Sequence, residues 1–171
     1  VEDLSRHFPI DGGFFGQNAV WLKAVDRVSL SISRGETVGL VGESGSGKTT
    51  LGRCIMRLTE PTKGTVIFNG RDLLALTPQQ MREVRRDMQI VFQDPHSSLN
   101  PRKTVRSIIA EAFRVHGLYD AAERRDRVLE LASVVGLLPD HLDRFPHEFS
   151  GGQKQRVAIA RGLADQPQML L

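Results

Sequence analysis

Sequence features that are typical of secreted or membrane-spanning proteins are scarce in this chain. One cysteine, Cys54, in 171 residues excludes an internal disulfide framework. Aromatic residues make up only 6% of the chain, and no apolar run approaches the roughly 18 residues that a bilayer span requires. The first residues, Val1 to Pro9, also lack the charged-then-apolar order of a secretory signal. We therefore expect a protein that is soluble, or that is peripheral to a membrane through a partner.

Neither acidic nor basic residues strongly outnumber the other, although the chain is basic overall. The net charge is +3, from 23 basic and 20 acidic residues. The arginines within 82–86 and 124–127 are mixed with acidic residues, which favours solvated helix faces over a nucleic-acid surface. With 40% hydrophobic and 25% charged residues, the composition is that of an ordinary globular domain. We expect no nucleic-acid partner.

Apolar periodicity divides the chain into a strand-rich first part and a helical second part. Strands are predicted where apolar residues alternate or form short β-branched runs, at 25–32, 37–41, 65–68, 88–92 and 169–171. Helices are predicted where apolar residues recur at helical spacing behind capping residues, at 49–58, 77–87, 104–117, 120–135 and from 150 onward. The run at 37–41 is typical of a strand buried on both faces of a parallel sheet. This order predicts an α/β core that holds a helical subdomain.

A complete phosphate-binding pattern, G-x-x-x-x-G-K-[ST], lies between the predicted strand at 37–41 and the helix after it. Glycines allow backbone amides to approach phosphate closely, and the helix dipole favours an anion there. Lys48 is expected to reach the β and γ phosphates, and the Thr49 hydroxyl to ligate Mg²⁺. The pattern alone leaves ATPases, GTPases and small-molecule kinases open. The predicted nucleotide-binding residues are Gly42, Glu43, Ser44, Gly45, Ser46, Gly47, Lys48, Thr49 and Thr50.

A second candidate anion site begins at Ser150, a natural helix cap that precedes Gly151, Gly152 and Gln153. One nucleotide needs only one phosphate loop. Two such helix starts on one chain therefore predict a head-to-tail dimer, in which these four residues of one subunit close over the terminal phosphate held by Lys48 of the other.

Together the two motifs resemble the ABC ATPase family, whose signature matches residues 150–153 at every position. The stretches at 23–30, 92–102 and 144–149 are similar to the oligopeptide/dipeptide (peptide/nickel-type) import group in particular, and the likeness covers nearly the whole chain. The resemblance implies an α/β P-loop NTPase fold with an antiparallel β subdomain and a helical subdomain.

The resemblance also implies a division of the chain. Residues 1–103 are expected to form the β subdomain and the P-loop core, residues 104–149 the helical subdomain, and residues 150–171 the signature helix with the start of the next strand. In this family the glutamine after the strand at 88–92, here Gln93, contacts Mg²⁺ or orients the attacking water. Gln93 and Lys48 are thus the expected catalytic residues, and Thr49 and Gln93 the expected metal ligands.

The implied cofactors are ATP and Mg²⁺, and the implied setting is a transporter. Members of the group work as two ATPase subunits, identical or not, beneath two transmembrane permease subunits, with a solute-binding protein as an indirect partner. The expected location is therefore the cytoplasmic face of the cell membrane, and residues 94–102 are expected to dock a permease. A non-transport ABC ATPase acting on nucleic acid or ribosomes is the main alternative, and a scaffold domain is the second.

Two departures from the family pattern stand out. Lys23 occupies the usual position of the aromatic residue that stacks on adenine, so Trp21 is the substitute candidate, with Phe15 behind it. Ordinary packing explains Trp21 equally well.

The second departure lies beyond the predicted strand at 168–171. In the family, this strand continues into an apolar run that ends in Asp-Glu, then an aspartate loop and a switch histidine. We therefore expect the cassette to be incomplete at its C-terminal side. The 171 residues alone should bind Mg-ATP weakly without turnover, and uncovered strand edges should leave them marginally stable.

Overall fold

The computed structural model describes residues 1–10, 20–94 and 98–171 and has two compact units, Val1–Met81 and Arg82–Leu171. Phe15, one of the candidate adenine-stacking residues, lies outside the described residues, as do residues 95–97 of the predicted docking segment. Among the helices that are described, none is long and apolar enough to cross a bilayer.

The first unit is built on a three-stranded antiparallel sheet in the order β2–β1–β3. Its strands are β1 (Glu2–Ile10), β2 (Val20–Val28) and β3 (Lys63–Thr65). Helix α1 (Lys48–Ile55) contacts β1 and β2. The buried apolar side chains of these elements are Leu4, Val25, Leu51, Cys54 and Ile55. Burial raises the pKa of the Cys54 thiol, so it behaves as a small packing residue.

A β-hairpin with a two-residue turn follows β3. It joins β4 (Ile67–Phe68) to β5 (Arg71–Asp72) through Asn69 and Gly70, whose φ angles of 49° and 74° are both left-handed. Tight hairpins require such angles, which explains why Asn-Gly ends the predicted strand here. Helix α2 (Pro78–Val84) then starts behind the predicted cap. The Gln80 amide donates to Thr77 Oγ1 at 3.3 Å, and the Thr77 amide donates to Gln80 Oε1 at 2.9 Å.

The second unit combines a short parallel strand pair with a group of α-helices. Strand β6 (Met88–Gln89) pairs in parallel with β7 (Met169–Leu170). The helices are α3 (Val105–Val115), α4 (Ala121–Val134) and α5 (Gly151–Leu163), with short 3₁₀ turns at Pro139–Asp143 and Pro146–Glu148. Their inward faces form one apolar core, which includes Leu99, Ile108, Phe113, Val128, Leu142 and Val157.

The helix starts in this unit agree with the sequence prediction. Thr104 caps α3, since its hydroxyl accepts from the Ser107 amide at 3.4 Å. Asp120 and Glu123 form a complete capping box at the start of α4. Helical spacing places Val128, Leu131, Val134 and Val135 on one apolar stripe of α4. This stripe is only partly buried, because Val134 is 69% exposed, whereas Ala132 lies in the core.

The prediction of a buried strand at 37–41 is wrong for this structure. Val38 is 48% exposed, Leu40 52% and Val41 94%, and the segment belongs to no strand. None of the residues that the structure describes forms a sheet ladder with it. A β-branched run becomes a strand only when neighbouring strands cover it.

The first predicted strand is displaced. Sequence alternation placed it at 25–32, but β2 runs from Val20 to Val28 and Ile32 is 45% exposed. The reason is β1, which was not predicted and pairs with β2 from Ile10–Val20 to Leu4–Val28. Pairing with a partner strand outweighs the local alternation.

Candidate functional site

The predicted phosphate loop precedes α1 in the first unit, and two of its glycines have left-handed backbone. The φ angles are 82° at Gly45 and 93° at Gly47. A Cβ at Gly47 would lie 2.0 Å from the carbonyl oxygen of Ala24, whereas a Cβ at Gly45 would meet no atom within 4 Å. Gly47 is therefore required for two reasons, its φ angle and the close approach of β2. The contact with Ala24 was not predicted from the sequence.

The start of α1 offers unpaired donors to an anion. Gly47 is the N-cap and provides no side chain to accept a hydrogen bond, and the first turn contains no acidic residue. The first-turn amides of a helix have no acceptor within the helix itself. Such a helix start attracts phosphate through its N–H groups and its dipole. This geometry fits the predicted role of residues 42–50.

Lys48 lies folded over the loop that precedes it. Its Nζ donates to the carbonyl oxygens of Gly42 at 2.7 Å and Glu43 at 2.6 Å, and to Ser46 Oγ at 3.2 Å. The ammonium group thus stays at the mouth of the loop, where a phosphate oxygen offers a stronger, charged acceptor. Thr49 is exposed as the second residue of α1, so its hydroxyl is open to a metal ion. These residues fit a magnesium-bound triphosphate.

The signature residues start α5 in the second unit, and they form a capping box. The Gln153 amide donates to Ser150 Oγ at 3.3 Å, and the Ser150 amide donates to Gln153 Oε1 at 2.9 Å. Ser150 and Gln153 therefore stabilise their own helix, while the serine hydroxyl retains one hydrogen to donate. Gly151 and Gly152 are exposed, and a Cβ at either would meet no atom within 4 Å.

Gln93 and Trp21 are both exposed. Gln93 lies four residues after β6, and the ladder to β7 continues to the Val91 amide, which donates to the Leu171 carbonyl at 2.8 Å. Trp21 is 54% exposed on β2, the strand whose Ala24 carbonyl contacts the phosphate loop. Lys23, at the family's usual stacking position, is engaged with Asp26 at 3.2 Å.

One arginine of α5 contacts the end of α4, and the sequence motifs did not reveal this contact. Arg156 Nη1 donates to the carbonyl oxygens of Val135 at 2.9 Å and Gly136 at 3.4 Å, at the end of α4. The cation satisfies terminal carbonyls and the negative end of the helix dipole. The left-handed Gly136, with a φ angle of 70°, marked the end of α4 but gave no sign of which side chain would reach it.

Comparison with known proteins supports this assignment of the motifs. The family model described as ABC transporter matches residues 25–171. The chain is 49% identical over 172 residues to the oligopeptide transport ATP-binding protein AppF of Bacillus subtilis, covering 100% of this chain and 52% of that protein. It is 47% identical over 171 residues to the glutathione import ATP-binding protein GsiA of Escherichia coli, covering 100% of this chain and 27% of that protein. The chain thus spans about half or less of these relatives.

A solved structure shares the fold. The dimeric post-hydrolysis state of the ATP-binding cassette MJ0796, bound to ADP and Pi, superposes with a TM-score of 0.85 at 31% identity over 99% of this chain and 70% of that one. The α/β cassette fold predicted from the motifs is confirmed. With the phosphate loop, the signature and the family match in agreement, this chain belongs to the ABC transporter family, as part of an ATP-binding cassette.

Proposed function

We propose that the chain is the nucleotide-binding part of an ATPase subunit that powers import of peptides or similar solutes across a membrane. The observation that carries the proposal is the start of α1, which has no side-chain cap and holds Lys48 at the mouth of a glycine loop. The names of the relatives support the solute class, since they refer to oligopeptide transport and glutathione import.

Within one subunit, the loop amides and Lys48 would hold the β and γ phosphates of ATP, and Thr49 would ligate Mg²⁺. By the family resemblance, Gln93 would contact the metal or orient the attacking water. The bound metal would neutralise charge on the transferred phosphoryl group. Lys48 exchanges its carbonyl partners at Gly42 and Glu43 for phosphate oxygens. Trp21 stacks on the adenine, for which its exposed ring on β2 is suited.

Between subunits, the signature closes over the terminal phosphate of the partner's nucleotide. The capping box already satisfies the Gln153 and Ser150 amides, and the serine hydroxyl hydrogen remains to donate to phosphate. Gly151 and Gly152 have no packing reason of their own to be glycine, because the space around both is open. Close approach of a ligand held by a second subunit supplies that reason. We infer a head-to-tail dimer with two shared sites.

The remaining partners are those of the transporter role. A second ATPase subunit, identical or not, completes the sites, two transmembrane permease subunits dock against a surface that includes residues 94–102, and a solute-binding protein acts through them. The subunit is peripheral to the cytoplasmic face of the membrane.

The test uses the full-length protein, since the chain spans about half or less of its relatives. Lys48→Ala should raise the Kd for Mg-ATP about a hundredfold and abolish solute uptake by vesicles that contain the permease pair, because the loop loses its one cation. Lys63→Ala, at an exposed position on β3, is the matched control. Uptake that survives Lys48→Ala would point to a scaffold. Salt-sensitive binding to nucleic acid without permease binding would point to a non-transport ATPase.

For the 171 residues alone, we propose Mg-ATP binding without turnover. The resemblance places the aspartate and glutamate that hold the metal's water shell and polarise the attacking water after a strand such as β7. Sustained hydrolysis by residues 1–171 on their own would contradict this.

A further inference from the structure

The C-terminal end of α5 contacts the chain on both sides of Gln93. Asp165, two residues after α5, accepts through Oδ2 from Gln89 Nε2 at 3.0 Å. Arg161, in the last turn of α5, donates through Nη1 to the carbonyl oxygen of Ser98 at 2.6 Å. Gln89 precedes Gln93 by four residues and Ser98 comes five residues after it. We call these two contacts the Gln93 bracket.

Close packing accompanies the bracket. A Cβ at Gly162 would lie 3.1 Å from Val91 Cγ2 and 3.4 Å from Leu170 Cδ1, so α5 lies directly against the strand that leads to Gln93. Ala160 and Ala164 on the same turns are buried in the helical core. Small residues here let the helix and the strand approach closely. The end of the signature helix is therefore tightly packed against this segment.

Stability is a weak explanation for the polar contacts of the bracket. Asp165 is only 6% exposed. His116 Nε2 lies 3.5 Å from its Oδ2, but its Oδ1 accepts no hydrogen bond from any described residue. Burial raises the pKa of Asp165 and lowers the pKa of Arg161. Burying charge costs free energy that well-packed apolar residues would avoid. Ionisable side chains at both positions thus indicate a requirement for position rather than for stability.

The segment that Arg161 holds is anchored at further points. Leu99 is 4% exposed in the helical core, and Lys103 Nζ bonds to Glu111 Oε1 at 2.6 Å. The Arg102 amide donates to Asn100 Oδ1 at 3.0 Å, which forms a local turn. Residues 98–103 are therefore fixed to the helices, and α5 connects them to β6.

We propose that Arg161 and Asp165 are positioning residues that tie the Gln93 segment to the signature helix, so that phosphate contact at Ser150 is transmitted along α5 to Gln93. The helix has 13 residues, with the signature at one end and the bracket at the other. A packed helix moves as one body, so a shift at its first turn displaces its last. The coupling role of Arg161 and Asp165 rests on the proposed function, whereas the two hydrogen bonds of the bracket do not depend on it.

The first experiment measures the bracket without nucleotide, by hydrogen exchange on the full-length protein. Arg161→Met keeps the bulk of the side chain and removes its donors. Exchange of the Arg102 and Lys103 amides should accelerate about tenfold while the amides of α4 are unchanged, since only the local anchor is lost. Arg127→Met, which breaks an exposed pair with Glu130, is the control and should leave residues 102–103 unchanged. Unchanged exchange in Arg161→Met would overturn the bracket.

The second experiment measures ATP hydrolysis by the same proteins, per nucleotide-binding site. Arg161→Met should lower kcat about tenfold and leave the KM for ATP within about twofold, because the phosphate loop is intact. Arg161→Lys should recover part of the loss, since an ammonium group can still donate to the Ser98 carbonyl. If Arg161→Met does not fold, Gln89→Leu breaks the other contact and the same split is expected.

The two experiments separate the possible failures. A kcat per site that stays at the wild-type level, with or without altered exchange, would show that Arg161 is merely structural and would overturn the positioning role. Absence of ATP hydrolysis by the wild-type protein would instead refute the proposed function, and the exchange data would still decide whether the bracket exists.

Discussion

The two helix N-termini that are predicted to bind phosphate are capped in opposite ways. At α1 the N-cap is Gly47, without a side chain to accept hydrogen bonds, so the first amides are left to an incoming anion. At α5 the N-cap is Ser150, whose capping box with Gln153 completes the helix from its own side chains. The first amides of α1 would therefore be satisfied by the proposed phosphate ligand, whereas the capping box satisfies amides of α5 without a ligand. A loop that binds nucleotide by itself needs backbone N–H groups that are free to contact phosphate. A surface that only closes over a nucleotide already bound elsewhere can have its helix N-terminus capped before it contacts the nucleotide.

The largest effect that tests this comparison is expected from Gly47→Ala. Its Cβ would collide with the Ala24 carbonyl at a left-handed φ angle, so we expect a loss of about 2–4 kcal/mol in the free energy of unfolding. Gly45→Ala has a similar φ angle in open space and should lose only about 1 kcal/mol. Urea unfolding of the full-length protein measures both. Equal losses would show that the close approach of β2 does not constrain the loop.

Ser150 comes next, with a substitution that separates its two roles. Ser150→Ala should cost about 1 kcal/mol of stability, because α5 loses its cap. Ser150→Asp keeps a good cap and should retain stability, but its carboxylate would repel the partner's phosphate and prevent ATP-dependent dimerisation. Urea unfolding and sedimentation with Mg-ATP provide the two measurements. Asp120→Ser, a cap exchange at α4, is the control and should leave dimerisation unchanged. ATP-dependent dimerisation that survives Ser150→Asp would contradict the proposed role of the signature.

The contrast between the two starts also explains what could be predicted from sequence. Caps at Thr77, Asp120 and Ser150 were predicted correctly because each depends on residues within three positions of the helix start. Strands depend on partners far along the chain. The run at 37–41 has the composition of a buried strand, but no described strand pairs with it. Conversely, β1 lacks a clear apolar alternation but forms a strand because it pairs with β2.

The site divides in the same way. The phosphate loop and signature are contiguous in sequence, so their residues could be predicted from the motifs alone. The contact of Gly47 with Ala24, the cap of Arg156 on α4 and the Gln93 bracket could not. Arg161 and Ser98 are 63 positions apart, and Asp165 and Gln89 are 76 apart. Such pairs arise from tertiary packing, for which a single sequence carries no local signal.

The other end of α5 gives a smaller, pH-dependent test. The charged groups that act on Asp165 are His116 of α3, 3.5 Å away, and Arg86, but burial outweighs both and raises its pKa. Because the folded state prefers the protonated acid, this contribution to stability is present at low pH and is lost as pH rises through the raised pKa. The free energy of unfolding of Asp165→Asn, compared with that of wild type, should therefore increase by about 1 kcal/mol when the pH is raised from about 4 to about 7.5. Urea unfolding at both pH values checks this. A constant difference would show that Asp165 does not titrate in this range.

The smallest expected effect separates the two helix starts with inorganic phosphate alone. Phosphate at a concentration equal to its Kd should stabilise the wild-type protein by about 0.4 kcal/mol, and Lys48→Ala should lose this gain. Ser150→Ala should keep it, because the capped start of α5 leaves fewer amides for an anion and has no loop lysine beside it. Thermal unfolding with and without phosphate, with sodium chloride at matched ionic strength as the control, resolves the difference. If Ser150→Ala abolished the stabilisation and Lys48→Ala did not, the capped N-terminus of α5 would be the stronger anion site. The comparison above, in which α1 binds the anion by itself and α5 does not, would then be wrong.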